Sequence, residues 1–177
     1  MHIIEDKEIK LINCNPEIIE IILKGQKTLS QDLNIEVDSQ WSLHGKDIFA
    51  KTKEQISKPD QDTRWWSYLL IYKKENKLIG NGGYKGNPEK GGVEIGYEIS
   101  PQYRNRGLTT RMVKLLIDEA FRYDTVTHIK ANTLAEKNAS ASVLQKLNFQ
   151  LAQNIQHGNV ELFWRWILYK ENYLLIS

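Results

Sequence analysis

The sequence has little of several things, and each shortage excludes a class of protein. Its 177 residues include one cysteine, Cys14. Neither an internal disulfide framework nor a cysteine-based zinc cluster can be built from one thiol, which fits a reducing compartment. His44, His128 and His157 are scattered without metal-ligand spacing, so no metal site is expected. The net charge is only +2. Proteins that neutralise many phosphates carry a clear basic excess, so no nucleic-acid partner is expected. No window approaches the roughly 20 apolar residues that cross a bilayer. The apolar stretch LFWRWILYKENYLLIS is broken by Arg165, Lys170 and Glu171, and the opening MHIIEDKEIK has no apolar run of signal-peptide length. The expectation is a cytoplasmic protein with no membrane partner.

What is present suits one folded unit. The length fits a single domain over residues 1–177, and 41% apolar with 26% charged residues allows an ordinary core. NCNPEIIEIILKG predicts a well-buried helix capped by Asn15, with Pro16 in the first turn and Gly25 at its end. Thr28 to Trp41 carries a weak signal, and Asp47 to Ser57 predicts a second, more polar helix. From Trp65 the period changes, and WWSYLLIYKKENKLIGNGGYKG predicts a hairpin turning at Lys74 to Asn76. VEIGYEIS alternates strictly, with Val93, Ile95, Tyr97 and Ile99 on one face and Glu94, Gly96 and Glu98 on the other. Leu108, Met112, Leu115, Leu116 and Ala120 then fall at helical spacing. A strand (HIKANTL), a short helix (NASASVLQKLNF) and two strands around HGN complete the order.

The segment SPQYRNRGLTTRMVKLLIDEA concentrates the chemistry. A strand ends at Ser100, a basic turn follows, and a helix starts near Gly107. The first N–H groups of a helix lack internal partners and lie at the positive end of its dipole. A glycine there lets a ligand approach the backbone, and Arg104 and Arg106 add charge. Such a turn can hold a phosphate or pyrophosphate. Gly-Lys-Ser/Thr and Gly-x-Gly-x-x-Gly are both missing, so it is neither a Walker loop nor the dinucleotide fingerprint. Taken alone, Gly107 also fits a plain basic first turn.

Arg104-Asn105-Arg106-Gly107-Leu108-Thr109 resembles the pyrophosphate-binding motif of the GNAT acetyltransferase superfamily, Gln/Arg-x-x-Gly-x-Gly/Ala. VEIGYEIS is similar to the strand before that motif. ANTLAEKNASASVLQKLNF resembles the segment after the fifth strand in the Rim-type branch, which includes ribosomal-protein N-terminal acetyltransferases. The resemblance is strong over Trp65 to Phe149. Thr109, Asn148 and the position of Asn138 depart from the usual pattern. The resemblance implies a mixed α/β fold: a central, mostly antiparallel twisted sheet of six to seven strands, flanked by helices, with splayed parallel fourth and fifth strands.

It also implies transfer of an acetyl group from acetyl-CoA to a primary amine by direct attack. Backbone N–H groups of Arg106, Gly107, Leu108 and Thr109, with Arg104 and Asn105, would hold the pyrophosphate. Ile99 would pair with the pantetheine arm, and Asn138 would contact the cofactor. Glu94 matches the position of a frequent general base; on its own residues it reads, as does Glu98, as a solvated face residue or an ion-pair partner. The tyrosine that many members use to protonate the thiolate is replaced by Leu144. Ser140 matches the serine given that role in the Rim-type branch, and it also suits a helix cap. The alternative is a catalytically silent module that holds CoA as a sensor.

The five tryptophans fit packing more readily than an acceptor cleft. The resemblance implies an acceptor side at about residues 26–62 and 153–160. Asp32, Glu36 and Asp38 could attract a cation there, though an ordinary polar loop is the preferred reading. The acceptor is a protein N-terminus or a small-molecule amine, and the expected state is monomer or weak homodimer.

Overall fold

The computed structural model describes residues 2–42, 45, 47–157 and 161–175. The chain opens with two short strands, β1 (Ile3–Glu5) and β2 (Ile9–Asn13), followed by helices α1 (Pro16–Lys24) and α2 (Gln26–Leu33). Strand β3 (Glu36–Val37) and helix α3 (Asp47–Ile56) lead into the hairpin β4 (Ser67–Tyr72) and β5 (Lys77–Tyr84). Then come β6 (Gly92–Ile99), α4 (Leu108–Phe121), β7 (His128–Leu134) and α5 (Ala139–Lys146). The described chain closes with β8 (Gln150–His157), β9 (Glu161–Tyr169) and α6 (Lys170–Leu174).

Among the described residues the strands form one sheet in the order β1-β2-β4-β5-β6-β7-β9-β8, with β3 beside β5. Neighbours run antiparallel except the parallel pairs β6–β7 and β3–β5. Helices cover both faces. Leu108, Met112, Val113, Leu116 and Ile117 of α4 pack on one side, and Ile18, Ile19, Ile22, Leu29 and Phe49 of α1 to α3 on the other. Strand β4 shows why: Tyr68 and Leu70 join the first cluster, Leu69 and Ile71 the second. A strand buried on both faces reads as a continuous apolar run.

The mixed, mostly antiparallel architecture matches expectation. The sheet has nine strands rather than six or seven. The additional ones are short or poorly patterned: β3 spans two residues, and β2 buries adjacent side chains on opposite faces. Helix α2 lies in the weakly signalled region because Leu29 is its one fully buried side chain. Helix α6 was likewise not foreseen. The α1 cap forms as expected, with Asn15 Oδ1 accepting from Ile18 N at 3.0 Å. Trp41, Trp65 and Trp166 are buried in the core, whereas Trp66 lines a cleft. His44 and residues 158–159 of the expected HGN turn lie outside the described residues.

Candidate active site

The site is opened by a mismatch between strand lengths. β6 pairs with β7 from Gly92↔His128 to Ile95↔Ala131 and no further. Beyond Ile95, β6 keeps its partner on the other side, from Gly83↔Gly96 to Gly80↔Ile99. The sheet is thus open between β6 and β7 beyond Ile95, which leaves room for an extended ligand alongside the strand.

Below this opening the chain turns into α4. Ser100 N–H donates to Ile79 O at 2.7 Å, fixing the end of the strand. Asn105 (φ 58°) and Gly107 (φ 75°) are left-handed. Gly107 occupies the N-cap, and no side chain caps the helix. Arg111 N–H donates to Gly107 O at 3.1 Å. The N–H groups of Leu108, Thr109 and Thr110 therefore precede the first intrahelical bond. A Cβ on Gly107 would meet nothing within 4 Å, so the space before the helix is open. The Arg106 guanidinium lies 5.0 Å from the centre of the Tyr103 ring, which holds it over the turn. Free N–H groups, a positive helix end and nearby guanidinium groups fit an anionic diphosphate. Arg111, the third arginine of the segment, is instead tied to Asp6 (2.7 Å) and Glu8 (3.1 Å).

A slot of about 830 Å³ runs from this turn to α5, and Tyr97, Ile99, Arg104 to Thr109, Asn138 and Ser140 all line it. Of the candidate catalytic and cofactor-binding residues, Glu94 alone lies outside. Asn138 caps α5, with Oδ1 accepting from Ala141 N at 2.9 Å. The capping alternative for Ser140 is thereby taken by its neighbour. The Ser140 carbonyl accepts from the Tyr97 hydroxyl at 3.1 Å. Burial pushes the Tyr97 phenol well above its ordinary range, so it stays protonated and a donor. Leu144 is fully buried and belongs to the core.

A second cleft of about 420 Å³ lies between α3 and the sheet. Ile48, Lys51, Thr52 and Gln55 line it, spaced as one face of a helix, with Trp66 alongside. Slot and cleft share two residues, Tyr97 and Glu98. Glu98 Oε1 accepts from Ser42 Oγ at 2.6 Å and Asn81 Nδ2 at 2.5 Å, which fixes the carboxylate at the junction. Glu94 is ion-paired with Lys85 and accepts from Asn132 at 3.2 Å. The two carboxylates of one strand face are thus placed differently, and the junction belongs to Glu98. Its place beside Ile99, where the strand leaves β7, is the signal that could have singled it out. Ser42 and Asn81 carried no such signal. Glu36 and Asp38 both bind Lys77, at 2.7 and 2.8 Å, away from the cleft. The Lys77 hydrogen bond holds the Asp38 carboxyl below the usual range, with a second from Gln102 helping against partial desolvation.

A mostly antiparallel sheet whose parallel β6–β7 pair parts above an uncapped helix start is the mixed α/β fold shared with solved GNAT-family structures. The chain belongs to the acetyltransferase (GNAT) domain family, whose model matches residues 6–150. It is 24% identical over 155 residues to the uncharacterized N-acetyltransferase YjdG of Bacillus subtilis (strain 168), covering 85% of this chain and 91% of that one. Its fold is similar to the ribosomal-protein-S5-alanine acetyltransferase of Vibrio fischeri, with a TM-score of 0.68 at 16% identity over 98% of this chain and 99% of that one. It also matches RimL, a ribosomal L7/L12 alpha-N-protein acetyltransferase in complex with coenzyme A, with a TM-score of 0.65 at 14% identity over 95% and 98%. Among the described residues no helix is long and apolar enough to cross a membrane, and no group of three His, Cys, Asp or Glu could hold a metal.

Proposed function

We propose that this protein transfers an acetyl group from acetyl-CoA to a primary amine while both are bound. The observation that carries the reading is the meeting of a diphosphate-compatible slot and a separate cleft at one fixed carboxylate, Glu98. In this reading the N–H groups of Arg106 to Thr109, with Arg104 and Asn105, hold the diphosphate. The strand edge at Ile99 pairs with the pantetheine arm, and Asn138 closes the far wall. When bound, acetyl-CoA supplies a thioester with an electrophilic carbonyl carbon.

The amine enters from the α3 cleft. Most alkyl amines are ammonium at neutral pH and must lose a proton before attack. Glu98, directly or through water, takes that proton; Glu94 is the other carboxylate of the same strand face. The Ser140 and Tyr97 hydroxyls lie on the slot side of the junction and can donate to the departing sulfur. A thiolate with a reference pKa of roughly 8.5 is a fair leaving group, so this donor assists more than it enables.

The whole chain acts as one catalytic domain in the cytoplasm, in the Rim-type branch. The NASASVLQKLNF segment and the fold shared with ribosomal-protein acetyltransferases support that placement. Calorimetric titration with acetyl-CoA, CoA and ATP is the test. Micromolar binding of both CoA species but not ATP is expected, followed by release of free thiol with an amine. Failure to bind either CoA species would refute the slot, and binding without transfer to any amine would favour the sensor reading.

A further inference from the structure

Gly96 is a glycine that the fold does not require. It lies mid-strand in β6, where glycine weakens pairing and often marks close approach of a ligand. Its φ is not among the positive-φ values of the chain, so its backbone suits any residue. A Cβ there would meet only the flexible end of Lys85, at 3.4 Å. Gly80 and Gly83 differ, since a Cβ on either would strike a backbone oxygen at 2.3 or 2.2 Å. Packing demands those two glycines. Gly96 instead keeps the floor of the α3 cleft low beside Glu98.

The charges along this floor are arranged by sign. Glu98 lies at the junction with the slot, while Lys85 binds Glu94, four residues away and so about 13 Å along the strand. Lys51 faces the same cleft from α3 and has no carboxylate within ion-pair distance among the described residues. Among the described residues Glu98 is the one carboxylate lining the cleft, against the Lys51 ammonium and that of Lys85, which Glu94 pairs.

We propose that the cleft selects an amine acceptor that carries a carboxylate within about 13 Å of the reacting nitrogen, the strand distance from Glu98 to the Lys85–Glu94 pair. The amine meets Glu98, the acceptor body lies across Gly96, and its carboxylate pairs with Lys51 and Lys85. The inference rests on the acetyltransferase reading above. A free ω-amino acid and an acidic peptide N-terminus share this chemistry.

Four probes separate the sources: 6-aminohexanoate against 1,6-diaminohexane, and the C-terminally amidated peptides Ser-Gly-Glu against Ser-Gly-Lys. Thiol release is the readout. The carboxylate member of at least one pair is expected to win, and the winning pair identifies the source. Lys51→Glu should shift that preference toward the cationic member by about fivefold to tenfold in kcat/KM, removing one exposed attraction and adding a repulsion. Gly96→Val should raise the acceptor KM at least tenfold while the CoA titration stays unchanged. Transfer with no charge preference, with the cationic member ahead, or with a preference unmoved by Lys51→Glu overturns this inference and leaves the enzyme reading intact. So does wild-type acceptor kinetics in a folded Gly96→Val. No transfer to any of the four while both CoA species still bind overturns this inference alone; loss of CoA binding is the result that sinks the enzyme reading.

Discussion

Gly107 separates a structural role from a binding role by charge alone. Its φ of 75° is left-handed, so any side chain there costs about 1 kcal/mol of backbone energy or somewhat more. For a chain of this length that lowers Tm by roughly 2–4 °C. No steric addition follows in the free protein, because a Cβ meets nothing within 4 Å. Gly107→Glu and Gly107→Lys should therefore lose similar stability. Their effects on acetyl-CoA should diverge. At an effective dielectric of about 20, a unit charge roughly 5 Å from a phosphate charge is worth about 3 kcal/mol. That is roughly a hundredfold in affinity, lost in Gly107→Glu and largely spared in Gly107→Lys. Thermal melts and calorimetric titration of both variants at low salt provide the check. Equal affinity of the Glu variant and the wild type would refute the diphosphate site. Equal weakening by Glu and Lys would assign the loss to shape and not to charge.

Further expectations follow from the junction and the core. Glu98→Gln should lower kcat on the order of a hundredfold without changing CoA affinity, the rate recovering at high pH where the amine is already neutral. Glu94→Gln should stay within a few fold; the reverse ranking would move the base to Glu94. Asp62 is held below the usual carboxylate range by the Arg64 side chain at 2.6 Å and by the Arg64 N–H, against partial desolvation. Its folded pKa thus lies below its unfolded value of about 3.9, and the associated stability is complete above that value and is lost as pH falls through the folded pKa. Urea midpoints between pH 7 and pH 3 should therefore fall less in Asp62→Asn than in the wild type; parallel curves would exclude the pair. Leu144→Ala removes a fully buried side chain and should cost about 3 kcal/mol, or roughly 6–12 °C in Tm. A shift under 2 °C in the melt would contradict its core position.

Much of the site was legible because its determinants are local. The strict alternation of VEIGYEIS, the basic turn and the left-handed glycine act within a few residues, through strand pleat, helix dipole and φ preference. Asn148, which stands where the family usually has glycine, adopts φ 63°, the conformation a short polar side chain tolerates best. The N-terminal strands and α2 were not legible, since burial on both faces or on almost none erases the periodicity. The choice between Glu94 and Glu98 was also beyond reach. Both belong to one strand face, and what distinguishes them is Lys85 beside one and Ser42, 56 positions away in sequence, beside the other. Asn138, not Ser140, caps α5 because the chain enters that helix two residues earlier than a cap at Ser140 implied. By itself, then, the sequence determined the family, the uncapped helix start at Gly107, and the strand that leads to it, because each is written in short-range backbone preferences. The junction of slot and cleft, the carboxylate that stands there, and the bare floor at Gly96 were decided by the tertiary structure, because each depends on where β7 stops pairing and where α3 comes to lie.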